Sequence, residues 1–144
     1  MKTETFEFAG YSGTNLSAYI WLPDGEVKAV LQVTHGMTEH MGRYKAFAEY
    51  LIPQGIAVAG FDLRGHGKNP GDTEVASFGE GGWAASIEDM RLFYELLEQR
   101  FTGIPHYMLG FSLGSFLLRE YLTKYPDEGE IAGAIIMGTG HQPG

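Results

Sequence analysis

Cysteine is absent from the 144 residues. Disulfides, thiolate catalysis and cysteine-ligated metal sites are thereby excluded. Positive charge is scarce as well: 10 Lys and Arg stand against 18 Asp and Glu, a formal net charge of −8. With no Lys/Arg cluster there is no footprint for nucleic acid or an anionic membrane surface, and the excess negative charge repels a phosphate backbone. No apolar run approaches the ~18 residues that a transmembrane segment needs. Met1–Ala9 alternates charge with aromatics and lacks an apolar signal core, so the expected location is cytoplasmic. The histidines His35, His40, His66, His106 and His141 form no His-x-x-x-His or carboxylate cluster with ligand spacing. The glycines around 65–67 and 79–82 carry neither a Walker lysine nor a dinucleotide fingerprint. Neither a metal nor a cofactor is expected.

What the chain does have is a globular composition, 44% hydrophobic and 19% charged, at a length that suits one domain. Phe6 and Phe8 alternate with Thr5 and Glu7. Leu16, Ala18 and Ile20 alternate with Ser17, Tyr19 and Trp21, and the two segments read as a hairpin. Ala29–Thr34, Ile56–Phe61, His106–Phe111 and Ile131–Met137 are short, nearly continuous apolar runs, which suit strands covered on both faces. Between them lie helical patterns. Tyr44–Gln54 carries a stripe of Tyr44, Phe47, Ala48, Leu51 and Ile52; Trp83–Phe101 one of Ile87, Met90, Tyr94, Leu97 and Phe101; Leu113–Tyr125 one of Leu117, Leu118, Tyr121 and Leu122. Ser86 and Asp89 have the spacing of a capping box, though a start at Gly82 or Trp83 fits as well. Asp89 and Glu120 are expected to be surface charges or caps, and Asp62–Gly82 a surface loop. A hairpin followed by strands alternating with helices predicts an α/β fold with a parallel sheet.

One motif carries chemistry. Gly110-Phe111-Ser112-Leu113-Gly114 has the form G-x-S-x-G and sits between an apolar strand and an amphipathic helix. A serine in so tight a strand-to-helix turn is held at strained backbone angles. Small residues at Gly110 and Gly114 leave the chain room to close, and the hydroxyl projects above the sheet edge. The free amides of the following helix point at the same place, where an oxyanion would form. Ser112 is therefore the candidate nucleophile. The amide of Leu113 and that of Met37, which leaves a neighbouring strand in His35-Gly36-Met37, are the candidate oxyanion hole. His35 is expected to hold that loop through its ring nitrogens.

These residues, together with His35-Gly36-Met37-Thr38-Glu39-His40 followed by Arg43-Tyr44, and Asp62-Leu63-Arg64-Gly65-His66-Gly67, give the chain a resemblance. It is similar to the N-terminal half of an α/β-hydrolase of the monoglyceride lipase, lysophospholipase and serine aminopeptidase type. The resemblance implies a partial α/β-hydrolase fold, with residues 1–144 the N-terminal portion of a single domain that lacks the cap and the last strands. It implies that Ser112 attacks an acyl carbonyl in a small-molecule ester. His40 and His66 would shape the loops around the site, and the Asp62 segment would be a structural turn.

Such a serine needs a base and a carboxylate to orient it, in the chain order Ser, acid, His. After Ser112 the chain offers Glu120, Asp127, Glu128, Glu130 and one histidine, His141, with no acid behind it. His141, like His40, is read as a pocket residue, and the acid and base are expected outside this chain. The 131–137 strand would then present an apolar edge, inviting a complementary C-terminal polypeptide or self-association. Two other readings stay open: an inactive fragment or binding subunit that keeps the fold, and a peptidase or acyltransferase built on the same nucleophile.

Overall fold

Strands buried on both faces must be sandwiched, and the computed structural model, which describes residues 1–69, 78–79, 81–126 and 130–141, shows how. Strands β1 (Lys2–Ala9) and β2 (Asn15–Leu22) form the hairpin. β3 (Ala29–Thr34), α1 (Lys45–Leu51), β4 (Ile56–Phe61), α2 (Gly82–Arg100), β5 (His106–Phe111), α3 (Leu113–Lys124) and β6 (Gly133–Met137) then follow. The strands make one six-stranded sheet in the order β1-β2-β4-β3-β5-β6. The pairs β1/β2 and β2/β4 are antiparallel, and β4, β3, β5 and β6 run parallel. This is a partial α/β-hydrolase architecture.

Side-chain alternation divides the core in two. Leu16, Ala18, Ile20, Val30, Ala57, Ala59, Phe61 and Met108 meet α2 and α3 through Ile87, Met90, Phe93, Leu97, Leu117 and Tyr121. Trp21, Leu31, Val33, Val58 and Leu109 pack against Tyr44, Ala48 and Ile52 around α1. Gln32, polar within a buried strand, is satisfied on the first face: its Nε2 donates to the Met90 carbonyl at 3.2 Å, and its Oε1 lies 3.0 Å from His106 Nε2.

Several expectations are corrected. Phe47, expected in the buried stripe, is exposed: Tyr44, Ala48 and Ile52 hold the core-facing line at four-residue spacing, and Phe47 lies off it. Ser86 and Asp89 are no capping box. Gly81 precedes the helix at φ 66°, Ser86 donates to the Gly82 carbonyl, and both residues are fully buried. Asp89, expected at the surface, takes Arg64 Nε at 2.7 Å, Arg64 Nη2 at 2.9 Å and the Tyr11 amide at 2.7 Å. It thereby pins α2 to the end of the hairpin. The Asp62–Gly82 segment is not all surface loop: Asp62, Leu63 and His66 are buried, while residues 70–77 and 80 of that segment lie outside the described residues. The last strand begins at Gly133 rather than Ile131. It is an edge strand, as β1 is at the opposite side, and Ile135 and Met137 are 46% and 41% exposed rather than doubly buried.

Candidate active site

Ser112 lies between β5 and α3 with φ 55° and ψ −118°. This is a conformation that glycine tolerates and other residues enter only under constraint. The constraint is visible on both sides of the residue. The Ser112 amide donates to the Met137 carbonyl at 3.0 Å, while its carbonyl accepts from the Ser115 amide at 2.9 Å and the Ser115 hydroxyl at 2.6 Å. Gly110 and Gly114 are required by close approach. A Cβ on Gly110 would strike the Gly114 carbonyl, and one on Gly114 would strike the carbonyls of Thr34 and His35. The first turn of α3 thus lies directly against the exit of β3, in keeping with the parallel register that sets Thr34 opposite Gly110.

The same closeness brings the β3 exit loop to the serine. A Cβ on Gly36 would lie 3.3 Å from Ser112 Cβ and 3.3 Å from the Phe111 carbonyl. Gly36 donates its amide to Glu39 Oε2 at 2.6 Å, and the Tyr44 hydroxyl donates to that same oxygen at 3.0 Å. Thr38 stands at φ 60°, which turns the chain back so that Glu39 reaches Gly36. Among the described residues the amides of Met37 and Leu113 have no hydrogen-bond acceptor, and neither does the Ser112 hydroxyl. For Leu113 this is the ordinary state of a first-turn helix donor.

Each histidine is placed differently. His35 is fully buried. Its Nδ1 donates to the Gly36 carbonyl at 2.7 Å, and its Nε2 accepts the Leu63 amide at 2.9 Å. With both nitrogens engaged the ring is a neutral brace, and burial pushes its pKa down to about 4. His66 packs its ring 5.2 Å from that of His35 and sets Nδ1 against the Arg64 carbonyl at 2.8 Å, and its buried Nε2 has no partner among the described residues. His106 is bound to Gln32 at the far end of β5 from Ser112, and burial lowers it likewise to about 4. His40 is exposed and packs over Gly42, and His141 is exposed. No described histidine is hydrogen-bonded to Ser112.

Asp62 accepts the Met41 amide at 2.8 Å and the Lys68 amide at 3.0 Å, so its carboxylate serves the two loops rather than a histidine. Beside the serine runs a groove of about 260 Å³ lined by Glu39, Arg43, Tyr44, Phe47, Phe111 and Met137. Phe47 therefore contributes to this groove and not to the core. Glu39 and Tyr44 were not singled out from the sequence as site residues. The readable signal was an acid three residues after a glycine in a strand-exit loop. Among the described residues no group of three His, Asp or Glu side chains is arranged to hold a metal ion.

A serine at positive φ between a parallel strand and a helix, glycines on both sides, and a second strand's exit loop against it define an α/β-hydrolase. Solved structures share the fold. A lipase in its open form superimposes with a TM-score of 0.78 at 25% identity, covering 92% of this chain and 43% of that one. A thermostable carboxyl esterase from Bacillus coagulans gives 0.78 at 24% identity, covering 93% and 43%. Residues 25–144 match the family described as serine aminopeptidase, S33, and the chain belongs to that family. It is 29% identical over 135 residues to a monoacylglycerol lipase of Mycolicibacterium smegmatis and 30% identical over 125 residues to the monoglyceride lipase of Homo sapiens. It covers 45% and 39% of those two proteins, less than half of either. Among the described residues no helix is long and apolar enough to cross a membrane.

Proposed function

We propose that this chain carries the nucleophile and oxyanion hole of a serine hydrolase that cleaves carboxylic esters of the acyl-glycerol or lysophospholipid kind. In this reading Ser112 Oγ attacks the carbonyl carbon while its proton passes to a histidine base. The developing oxyanion is taken by the amides of Met37 and Leu113. The leaving alcohol departs with the proton, and water releases the acyl group by the same steps in reverse. The observation that carries the reading is the backbone of Ser112, held at φ 55° by two-sided hydrogen bonding where an ordinary turn residue would relax. The groove at Phe111 and Met137 has the partly apolar lining that an acyl or alcohol group requires.

Residues 1–144 form the N-terminal part of one hydrolase domain in this proposal. The acid and base lie outside the chain, in a polypeptide that joins it at the 131–137 edge or in a self-associated form, and the assembly is cytoplasmic. A fluorophosphonate probe on the complete assembly is expected to label Ser112 and to leave the Ser112→Ala variant unlabelled. Equal labelling of both would overturn the assignment. A second reading, an inactive fragment or binding subunit, draws on the absence of any described histidine hydrogen-bonded to Ser112; ester turnover lost in Ser112→Ala would dismiss it. Comparing glycerol esters with aminoacyl amides and with acyl transfer to added alcohols separates hydrolysis of esters from the peptidase and acyltransferase readings.

A further inference from the structure

The geometry points to Glu39 as a positioning residue: one side-chain oxygen holds the Gly36 amide, and so leaves the next amide, that of Met37, presented to the reacting oxygen. This rests on Ser112 being the nucleophile. Glu39, Ser112 and the Phe111 carbonyl meet at Gly36. A Cβ there would lie 2.8 Å from Glu39 Oε2 and 3.3 Å from Ser112 Cβ, so the carboxylate oxygen and the nucleophile flank one residue. Left unheld, the Gly36 amide would be a buried donor free to rotate its peptide plane. The following plane, Gly36–Met37, carries the donor that must meet the oxyanion and is held at its carbonyl by His35 Nδ1; Glu39 fixes the plane before it, and a shift there passes through the side-chain-free Gly36 to the Met37 amide. Tyr44 anchors the arrangement to the core: it is buried in the packing around α1 and gives its O–H to the same oxygen. Burial first, and then the charge of Glu39, push the ionisation of Tyr44 upward, so it remains a donor.

Both donors converge on Oε2, so a single acceptor atom does the work. Negative charge is not needed for it, and beside a developing oxyanion charge is unfavourable. This separates the proposal from any role of Glu39 as an acid or base. A carboxamide oxygen at the same reach should substitute, whereas a side chain one methylene shorter should not.

The test compares Glu39→Gln, Glu39→Asp and Glu39→Ala in the complete protein. Glu39→Gln is expected to keep kcat within ~3-fold, while Glu39→Asp and Glu39→Ala lose ~10- to 100-fold in kcat with little change in KM, the scale of a misplaced oxyanion donor. Amide hydrogen exchange at Gly36 should quicken in Glu39→Ala and stay slow in Glu39→Gln. A Glu39→Gln variant as slow as Glu39→Ala, or a Glu39→Ala variant as fast as the parent, would overturn the proposal. If the parent itself shows no turnover and no labelling at Ser112, the hydrolase reading fails. The exchange at Gly36 then decides the loop on its own, and equal exchange in Glu39→Ala and Glu39→Gln would refute the positioning role.

Discussion

Replacing Ser112 by glycine and, separately, by alanine isolates the strain stored at the turn. Ser112 stands at φ 55° and ψ −118°, and a non-glycine residue in such a region costs on the order of 1–3 kcal/mol. Alanine keeps that strain. Its loss of the hydroxyl leaves nothing unsatisfied, since the hydroxyl has no partner among the described residues. Glycine removes the strain but adds roughly 0.5–1 kcal/mol of chain entropy to the unfolded state. The balance favours Ser112→Gly over Ser112→Ala by about 1 kcal/mol, which is ~2–4 °C in Tm for a chain of this size. Urea unfolding at fixed pH reads the difference as a shift in midpoint at constant slope. A glycine variant no more stable than the alanine variant would mean that the turn is relaxed, and the argument for a constrained nucleophile would fail with it.

Two further outcomes follow from the buried polar groups. Asp89 is fully buried, and Asp89→Ala strands Arg64 and the Tyr11 amide; a loss of ~3–5 kcal/mol is expected in denaturant unfolding, since one partner of a buried pair is removed. A loss below about 1 kcal/mol would show that the pair is solvated in solution. His35 and His106 have folded-state pKa values pushed from 6.5 down to about 4. The unfolded chain then binds more protons than the folded one between these values, so their stabilisation is fully present above pH 6.5 and is lost as pH falls toward 4. Unfolding midpoints measured from pH 7.5 to 4.5 should fall, and fall less steeply in His106→Gln. A flat profile would contradict the burial of the two rings.

The sheet strands β3, β4 and β5 were legible to the residue, because a short, nearly continuous apolar run between turn residues has few other uses. The long helix was legible from the spacing of Ile87, Met90, Tyr94, Leu97 and Phe101, all of which are buried. Asp89 was misread because a carboxylate in a helical pattern gives no local sign that an arginine 25 residues away will meet it. Phe47 departs from the sequence expectation because only the Tyr44, Ala48 and Ile52 line of its 7-residue helix and flanking turns meets the sheet, and spacing alone does not show how narrow that contact is.

At the site, residue order alone determined that a serine would occupy a sharp strand-to-helix turn, since glycines two residues to either side within an apolar-to-amphipathic transition leave little else to build. Which groups would surround that serine was decided by tertiary structure. The parallel pairing of β3 with β5 sets Thr34 beside Gly110, and the absence of a side chain at Gly114 lets the two strand ends touch. That contact carries Gly36 to Ser112 and gives Glu39 a backbone amide to hold. Local sequence records the preferences of neighbouring residues along the chain, and the Glu39–Gly36 bond spans only three of them, whereas the contacts of Thr34 and Gly36 with Gly110, Gly114 and Ser112 join segments more than seventy residues apart and exist only once the sheet has closed the distance.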